Sequence, residues 1–302
     1  MMSHFPKLSL GPILYYWPRE VLLDFYTQLI DTPIDIIYLG ETICSKRKAF
    51  GTQDWLDLAQ KLQDAGKKVV LSTLTLLEAE SDLKTLRHLC DQKEMMIEAN
   101  DMATVHLLEG SRFVTGLGIN VYNTPTLTLL TRLGLHRWVF PVELSYHTLI
   151  DLQMQRPEGI ETEVLVYGRL PLAYSARCFT ARAHNLPKDD CQHRCLDYPE
   201  GLMLFTQDRQ PFLVLNGIQV QSACYYNLLP VLEDLRSLNV DVLRISPQVR
   251  YTKEIISLFH QCLHGSCPLS EGLELLQRFM PTKACDGYWH GQAGISPSVN
   301  EN

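Results

Sequence analysis

The sequence contains no basic run longer than Lys46-Arg47-Lys48, and its 27 lysines and arginines are outnumbered by 34 aspartates and glutamates, for a formal net charge of −7. A chain whose main partner was nucleic acid would need a concentrated positive face, so that class is excluded. No run of about 18 uninterrupted apolar residues is present, which excludes a membrane-spanning helix. Also missing are a G-x-S-x-G elbow, an H-E-x-x-H pair, a Walker loop and a Rossmann fingerprint, which leaves hydrolysis by a familiar triad without support. There is no internal repeat and no low-complexity block.

What is present is a chain of 302 residues, 46% hydrophobic and 20% charged, long enough for one large core or two modest ones. The stretch from Leu8 to Trp17 is as apolar as a signal peptide. It holds a Gly-Pro pair, however, and ends in Trp17-Pro18-Arg19-Glu20 without a small-residue cleavage site, so we read it as a first buried strand. The expected setting is then a reducing, cytoplasmic compartment, where nine cysteines, an odd number, are poorly explained by disulfides. Some of them are expected to bind a metal or do chemistry.

Strand and helix periods alternate through the first half of the chain. Predicted strands are Ile13–Trp17, Ile34–Gly40, Lys68–Thr73, Met95–Ala99, Arg112–Asn120, Arg137–Leu144 and Thr162–Tyr167, each of the first six followed by a helix. Near-continuous apolar strands separated by helices predict a parallel sheet covered on both faces. Six or seven such units without a Gly-rich phosphate loop after the first strand favour a closed, TIM-barrel-like (β/α) barrel over an open dinucleotide-binding sheet. Beyond a cysteine-rich segment, 201–207 and 211–221 alternate around Asp208-Arg209-Gln210 as a hairpin. A helix over 226–238, a strand Val240–Ile245 that could close the barrel, and a helix over 253–264 follow. The domain reading is a single α/β barrel over 1–302, with a cysteine-rich loop plus β-hairpin insertion at about 176–222. A surface strap begins at Pro281 and continues as a flexible tail over about 285–302.

Cys178, Cys191 and Cys195 lie in a polar, charged segment with little hydrophobic reason to be ordered. Metal ligation fixes a loop that packing cannot. The spacing C-x12-C-x3-C gives three ligands, and Cys44, just past the second strand, opens on the same barrel face as the loop after the seventh. Arg177, Arg194, Lys46 and Arg47 would offset thiolate charge. Zinc and iron–sulfur both remain open: the wide gap suits the larger footprint of a cubane, while His184 and His193 keep a Cys3His zinc site in play. Cys90, Cys224 and Cys262 read as core packing, and Cys267 and Cys285 as substitutes should Cys44 fail.

In a barrel, residues just past strand ends line one mouth: Glu41, Asn100, Asp101, Asn120, Asn123, Glu143 and Tyr174. Asp and Asn at such positions are more often helix caps or turn formers than catalysts. Glu143, after Phe140-Pro141-Val142, is expected to be buried and so to need a partner. Glu143 and Asp101 are the weak candidates for moving protons.

The stretch Val164-Leu165-Val166-Tyr167-Gly168-Arg169-Leu170-Pro171-Leu172-Ala173-Tyr174-Ser175-Ala176-Arg177-Cys178 resembles the signature of the collagenase-like (unassigned-type) peptidase family. Gly118-Ile119-Asn120-Val121-Tyr122-Asn123 and Val142-Glu143-Leu144-Ser145 resemble that family's strand ends, and the similarity runs from the first strand to the last barrel unit. Within the family, Glu41-Thr42-Ile43-Cys44-Ser45-Lys46-Arg47 with the spacing of Cys178, Cys191 and Cys195 is most similar to a branch that serves ubiquinone biosynthesis. Many relatives carry a cysteine where this chain has Pro171, and in this branch the cysteine after the second strand takes over. The resemblance implies a [4Fe-4S] cluster on Cys44, Cys178, Cys191 and Cys195, and a heterodimer with a sister protein. It further implies a part in oxygen-independent hydroxylation of the ubiquinone ring in a bacterial cytoplasm, beside a lipid carrier protein that presents the substrate. Peptidase activity is the second reading, since a cysteine committed to a cluster cannot act as a nucleophile. A non-catalytic electron-transfer or scaffold subunit is the third.

Overall fold

The computed structural model describes residues 5–92 and 94–296. In chain order the first half contains β1 (Lys7–Leu10), α1 (Arg19–Gln28), β2 (Ile36–Leu39), α2 (Thr52–Asp64), β3 (Lys68–Ser72), α3 (Glu80–Cys90), β4 (Met96–Ala99), α4 (Met102–Leu107), β5 (Phe113–Thr115), α5 (Thr124–Leu133), β6 (Leu135–Val139) and α6 (Tyr146–Met154). The second half contains β7 (Glu161–Tyr174), α7 (Phe179–Ala183), β8 (Leu202–Phe205), β9 (Pro211–Asn216), β10 (Gln219–Asn227), α8 (Leu232–Ser237), β11 (Val242–Ile245), α9 (Thr252–Leu263), α10 (Leu269–Phe279) and β12 (Ala284–Cys285).

Strands β1 to β7 pair in sequence order, all parallel, and β11 pairs with both β7 and β1, so eight strands close into the expected barrel. The strand predicted at 240–245 does close it. Beyond the rim β7 continues as one edge of an antiparallel extension, β7-β10-β9-β8.

Local chemistry explains the punctuation. Asp101, Asn123 and Ser145 cap α4, α5 and α6 by accepting from the backbone N–H groups of Ala103, Thr126 and Thr148. Pro125 sits in the first turn of α5, where its missing N–H costs nothing, and Gly134 ends that helix in the left-handed region.

Three expectations are corrected. The first strand is Lys7–Leu10, not Ile13–Trp17: Gly11-Pro12 ends the ladder, and residues 13–17 cross the barrel mouth instead. There Tyr15 donates to Gln221 and the Trp17 indole donates to the Pro199 carbonyl. The run expected as one strand over 211–221 turns at Gly217, and its continuation, β10, takes residues 226 and 227 from the expected helix, which begins only at Leu232. The strap from Pro281 is anchored rather than superficial. Ala284–Cys285 pairs with β10, and Trp289 is buried, its ring 5.3 Å from that of Tyr146. The end of the expected tail, 297–302, lies outside the described residues.

Strand alternation separates two interiors. Outward positions such as Leu8, Leu10, Ile37, Leu39, Leu71, Ile97, Trp138 and Leu243 join the large core under the helices. Inward positions hold a small apolar ring of Ile36, Tyr38, Val70, Val114, Val139 and Val242. Polar side chains occupy further inward positions: Ser9, Ser72, Glu98, Arg137, Glu163 and Arg244, all buried.

Candidate functional site

Cys44 and Cys178 follow β2 and β7, so both lie on the C-terminal face of the barrel, where catalytic loops of this architecture gather. Cys191 directly follows a 3-10 turn over Lys188–Asp190, and Cys195 lies in a second over Arg194–Asp197. Gln192 and His193 reverse the chain between them with φ of 51° each. The four cysteines are partly exposed. The Cys178 thiol stands close enough to Cys44 and to Cys195, and Cys191 to Cys195, for charge on one to raise its neighbour. Among the described residues no three His, Cys, Asp or Glu side chains converge tightly enough to hold one metal ion.

The loops that carry the cysteines are tied together by cations and backbone. Glu41 accepts the backbone N–H groups of Ile43 (2.8 Å) and Cys44 (3.0 Å), fixing the turn that presents Cys44. Arg47, itself buried, donates to the Leu14 carbonyl and to Asn216 Oδ1, both at 2.7 Å, and approaches Glu41 at 3.7 Å. Its guanidinium also lies beside the Cys195 sulfur. Lys46 bridges to the Cys191 segment through the Lys188 carbonyl (2.9 Å) and Asp189 (2.7 Å). Lys188 returns to the Ala176 carbonyl at 2.7 Å and pairs with Glu78. The Cys178 sulfur accepts the Ala181 N–H at 3.4 Å. Burial pushes the Cys44 and Cys195 thiols up from their usual range, with Arg47 working against it at both. Of the four cations expected near the cysteines, Lys46 and Arg47 make these contacts; Arg194 pairs with Asp197, and Arg177 is exposed.

The two histidines of the segment turn elsewhere: His184 Nε2 meets the Tyr198 hydroxyl at 3.0 Å, and His193 lies against the Tyr16 ring. Cys224 and Cys285 neighbour one another, as do Cys262 and Cys267, away from the group around Cys44. Beside the Cys44 loop a cleft of about 540 Å³ runs between α2 and α3, lined by Phe50, Trp55, Leu71, Leu86, Lys46 and Asp82 among others. That volume lies within the range of small-molecule sites.

The other mouth residues divide. Asp101 and Asn123 are spent as helix caps. Glu143 is exposed rather than buried and accepts the hydroxyl of Tyr122, which is also exposed, so the premise of a costly buried carboxylate fails. Glu143→Gln should therefore change unfolding free energy by no more than about 0.5 kcal/mol, as read by urea titration. A loss above about 2 kcal/mol would show a buried role that this geometry lacks. Asn120 is exposed. Asn100 and Tyr174 face a small cavity at the barrel axis together with Arg169 and Arg244. The two arginines were not among the candidate residues, although a charged side chain in the middle of an apolar strand, as Arg244 is in Val-Leu-Arg-Ile, is a visible signal.

The structure of the U32 peptidase Mk0906 is similar over 82% of this chain and 95% of its own, with 13% identity and a TM-score of 0.47. A dihydropteroate synthase from Thermus thermophilus matches 84% of this chain and 93% of its own at 11% identity and a TM-score of 0.41. A type I 3-dehydroquinate dehydratase from Clostridium difficile matches 54% and 76% at 11% identity and 0.39. In sequence, residues 23–293 match peptidase family U32, and the chain belongs to that family.

Proposed function

We propose that the chain is the iron–sulfur subunit of an oxygen-independent hydroxylation system of ubiquinone biosynthesis, most similar to the protein UbiV and acting with the sister protein UbiU. Cys44, Cys178, Cys191 and Cys195 would hold a [4Fe-4S] cluster. The observation that carries the reading is the pairwise neighbourhood of these four thiols on the barrel's C-terminal face. A structural zinc ion asks that all its donors meet at one centre about 2.0–2.3 Å away. A cubane takes one thiolate per iron, which matches four thiols linked by three neighbouring pairs, Cys44 with Cys178, Cys178 with Cys195 and Cys191 with Cys195.

A cluster in that position would supply one-electron chemistry. The chain's own residues would do the holding: Arg47 offsets thiolate charge beside Cys195, Glu41 fixes the Cys44 turn, and Lys46 ties that turn to the Cys191 segment. The cleft that opens next to the Cys44 loop carries an apolar wall of Phe50, Trp55, Leu71 and Leu86 beside polar residues such as Lys46 and Asp82, a mixture that would take an aromatic substrate delivered by a lipid carrier protein.

The family description itself favours a second reading, a peptidase. Burial raises the Cys44 and Cys195 thiols, the reverse of what a cysteine nucleophile needs, and among the described residues none of the four cysteines is hydrogen-bonded to a histidine. The experiment is anaerobic purification with iron and acid-labile sulfide counted, in the native chain and in Cys44→Ala and Cys178→Ala. The expected result is about four iron and four sulfide per chain, bleaching with dithionite and lost in both variants. A colourless zinc protein, or a cluster that survives loss of Cys44, would overturn the ligand set.

A further inference from the structure

Beyond the four cysteines at the barrel mouth, four more stand in two neighbouring pairs, Cys224 with Cys285 and Cys262 with Cys267. Cys285 is fully buried, which shuts the first pair off from reagents outside. The second pair is open to them: Cys262 is partly exposed and Cys267 is 8% exposed.

A local chain reversal brings Cys262 and Cys267 together. Helix α9 ends in Cys262-Leu263, and Gly265, in the left-handed region at φ 72°, donates its N–H to the Cys262 carbonyl at 3.2 Å. The chain then turns back, so that the N–H groups of Ser266 (2.9 Å) and Cys267 (3.3 Å) both reach the Gln261 carbonyl. Pro268 starts α10, whose Gly272 lies against the end of α9. A Cβ on Gly272 would stand 2.5 Å from the Cys262 sulfur and 3.9 Å from the Cys267 sulfur, so both sulfurs face one spot, the notch that this glycine leaves. The two thiols are hydrogen-bonded to one another. A disulfide needs Cα atoms within about 7 Å and Cβ vectors that face each other. A reversal clasped on one carbonyl, with both sulfurs over one glycine, supplies that arrangement.

Closing so short a loop as C-x4-C removes little chain entropy, so the balance between dithiol and disulfide is set by the surroundings of the sulfurs and is reversible. Burial pushes the Cys262 thiol up, and Cys267 and Glu271 beside it push the same way. Cys262 therefore stays protonated while Cys267 is free, and the first attack falls to Cys267. Once Cys267 is held in a mixed disulfide it carries no charge, and that part of the restraint on Cys262 is gone.

We propose that Cys262 and Cys267 form a reversible thiol–disulfide modification site whose oxidant is a low-molecular-weight disulfide such as oxidised glutathione. The Cys267 sulfur attacks one sulfur of the oxidant and expels the other as a thiol. The Cys262 sulfur gives up its proton, attacks Cys267 and expels the second glutathione. The two protein thiols lose two electrons and two protons, and oxidised glutathione becomes two molecules of the thiol. The new bond pins the start of α10 to the end of α9.

Trypsin isolates the site, because no lysine or arginine lies between Lys253 and Arg278, and peptide 254–278 carries these two cysteines and no other. The test holds the full reduced chain in excess oxidised glutathione, quenches it in acid, alkylates it in denaturant and reads this peptide by mass. The peptide should lose both alkylation sites and two hydrogens, and regain both sites after dithiothreitol. Cys262→Ser should stop at a glutathione adduct on Cys267, and Cys267→Ser should leave Cys262 alkylated. A native peptide alkylated at both cysteines throughout, or one that accumulates the glutathione adduct without closing the disulfide, would overturn the proposal. The native chain alone decides this, so the result stands if a serine variant fails to fold. It is also independent of the cluster reading: the peptide holds none of the four mouth cysteines, and the end of α9 lies beside Phe5, whose ring stacks on His264 at 5.0 Å, ahead of the first strand.

Discussion

Glu163→Gln should lower the unfolding free energy by about 3–5 kcal/mol, which for a total of about 5–15 kcal/mol leaves the protein marginal at best. The reason is the company that carboxylate keeps inside the barrel. Glu163 is fully buried and accepts Ser9 Oγ at 2.6 Å, the Tyr38 hydroxyl at 2.5 Å, Arg244 Nε at 2.7 Å and Arg137 Nη1 at 3.4 Å. Arg244 in turn lies 4.0 Å over the Tyr38 ring, and Arg137 reaches Glu161 at 2.7 Å. Removing the charge at the centre takes one of two carboxylates from each buried guanidinium, leaving Arg244 with Glu98 and Arg137 with Glu161, and turns part of the central acceptor into an amide N–H that faces their donors. Tyr38→Phe, which deletes one donor and keeps the charges, should lose about 1.5–3 kcal/mol. Urea titration of the three proteins checks the order; a Glu163→Gln loss under about 1 kcal/mol would mean that water reaches the network and screens it.

Acid should attack the same network from its lower end. Burial works to raise Glu161, but Arg137 and Lys7 overcome it and bring the carboxyl down to about 2. Burial likewise opposes Arg244 and Arg137 at Glu163, and the arginines again win, holding it below the usual carboxylate range. A carboxylate with a depressed folded-state pKa contributes stability that is fully present above its unfolded value near 4.5 and is lost as pH falls toward the folded value. Stability should therefore drop between about pH 4.5 and pH 2, and the drop should be shallower in Glu161→Gln. Equal slopes in the two proteins would show that other groups govern acid unfolding.

The barrel was legible in the sequence because its strands must be apolar on the face that meets the helices, and because loop chemistry such as Asp101, Asn123 and Gly134 punctuates the units. The first strand was misplaced because Ile13–Trp17 is as apolar as Lys7–Leu10. Nothing local shows that Tyr15 and Trp17 bury themselves by spanning the mouth toward Gln221 and Pro199, partners about 200 residues away. The cysteine segment stood out by its poverty in core residues, and Cys44 could be placed on the same face by barrel topology alone. The polar interior was hidden for a different reason. Ser9, Tyr38, Glu98, Arg137, Glu163 and Arg244 come from six strands, one or two polar residues each, and only closure brings them together. Glu143 misled because its apolar neighbours Phe140 and Val142 are buried while the chain turns it outward toward Tyr122.

Gly40→Ala should cost about 3 kcal/mol and also disturb the Cys44 turn, which makes it the single substitution that links the barrel to the site. Gly40 ends β2 at φ 138°, where side chains other than glycine's are strained, and a Cβ there would stand 2.3 Å from the Ser72 carbonyl oxygen. Backbone cannot swing aside as a flexible side chain can, so β2 and β3 must part at their upper ends. Ser72 would then move, and its hydroxyl holds Glu98 at 2.6 Å. On the other side, Glu41 would move, and its carboxylate holds the backbone N–H groups of Ile43 and Cys44. Thr42, whose carbonyl accepts the Thr75 N–H at 2.9 Å, would carry the displacement to the wall of the small cavity at the barrel axis. The variant should therefore lose stability in urea and, if the proposed cluster is held at Cys44, retain less iron than the native chain, all from one added methyl. Urea stability falling while iron content stays native would show that the strain relaxes into α2 and β3 and that the Cys44 loop is positioned from elsewhere, chiefly by Arg47 and its contacts to Leu14 and Asn216.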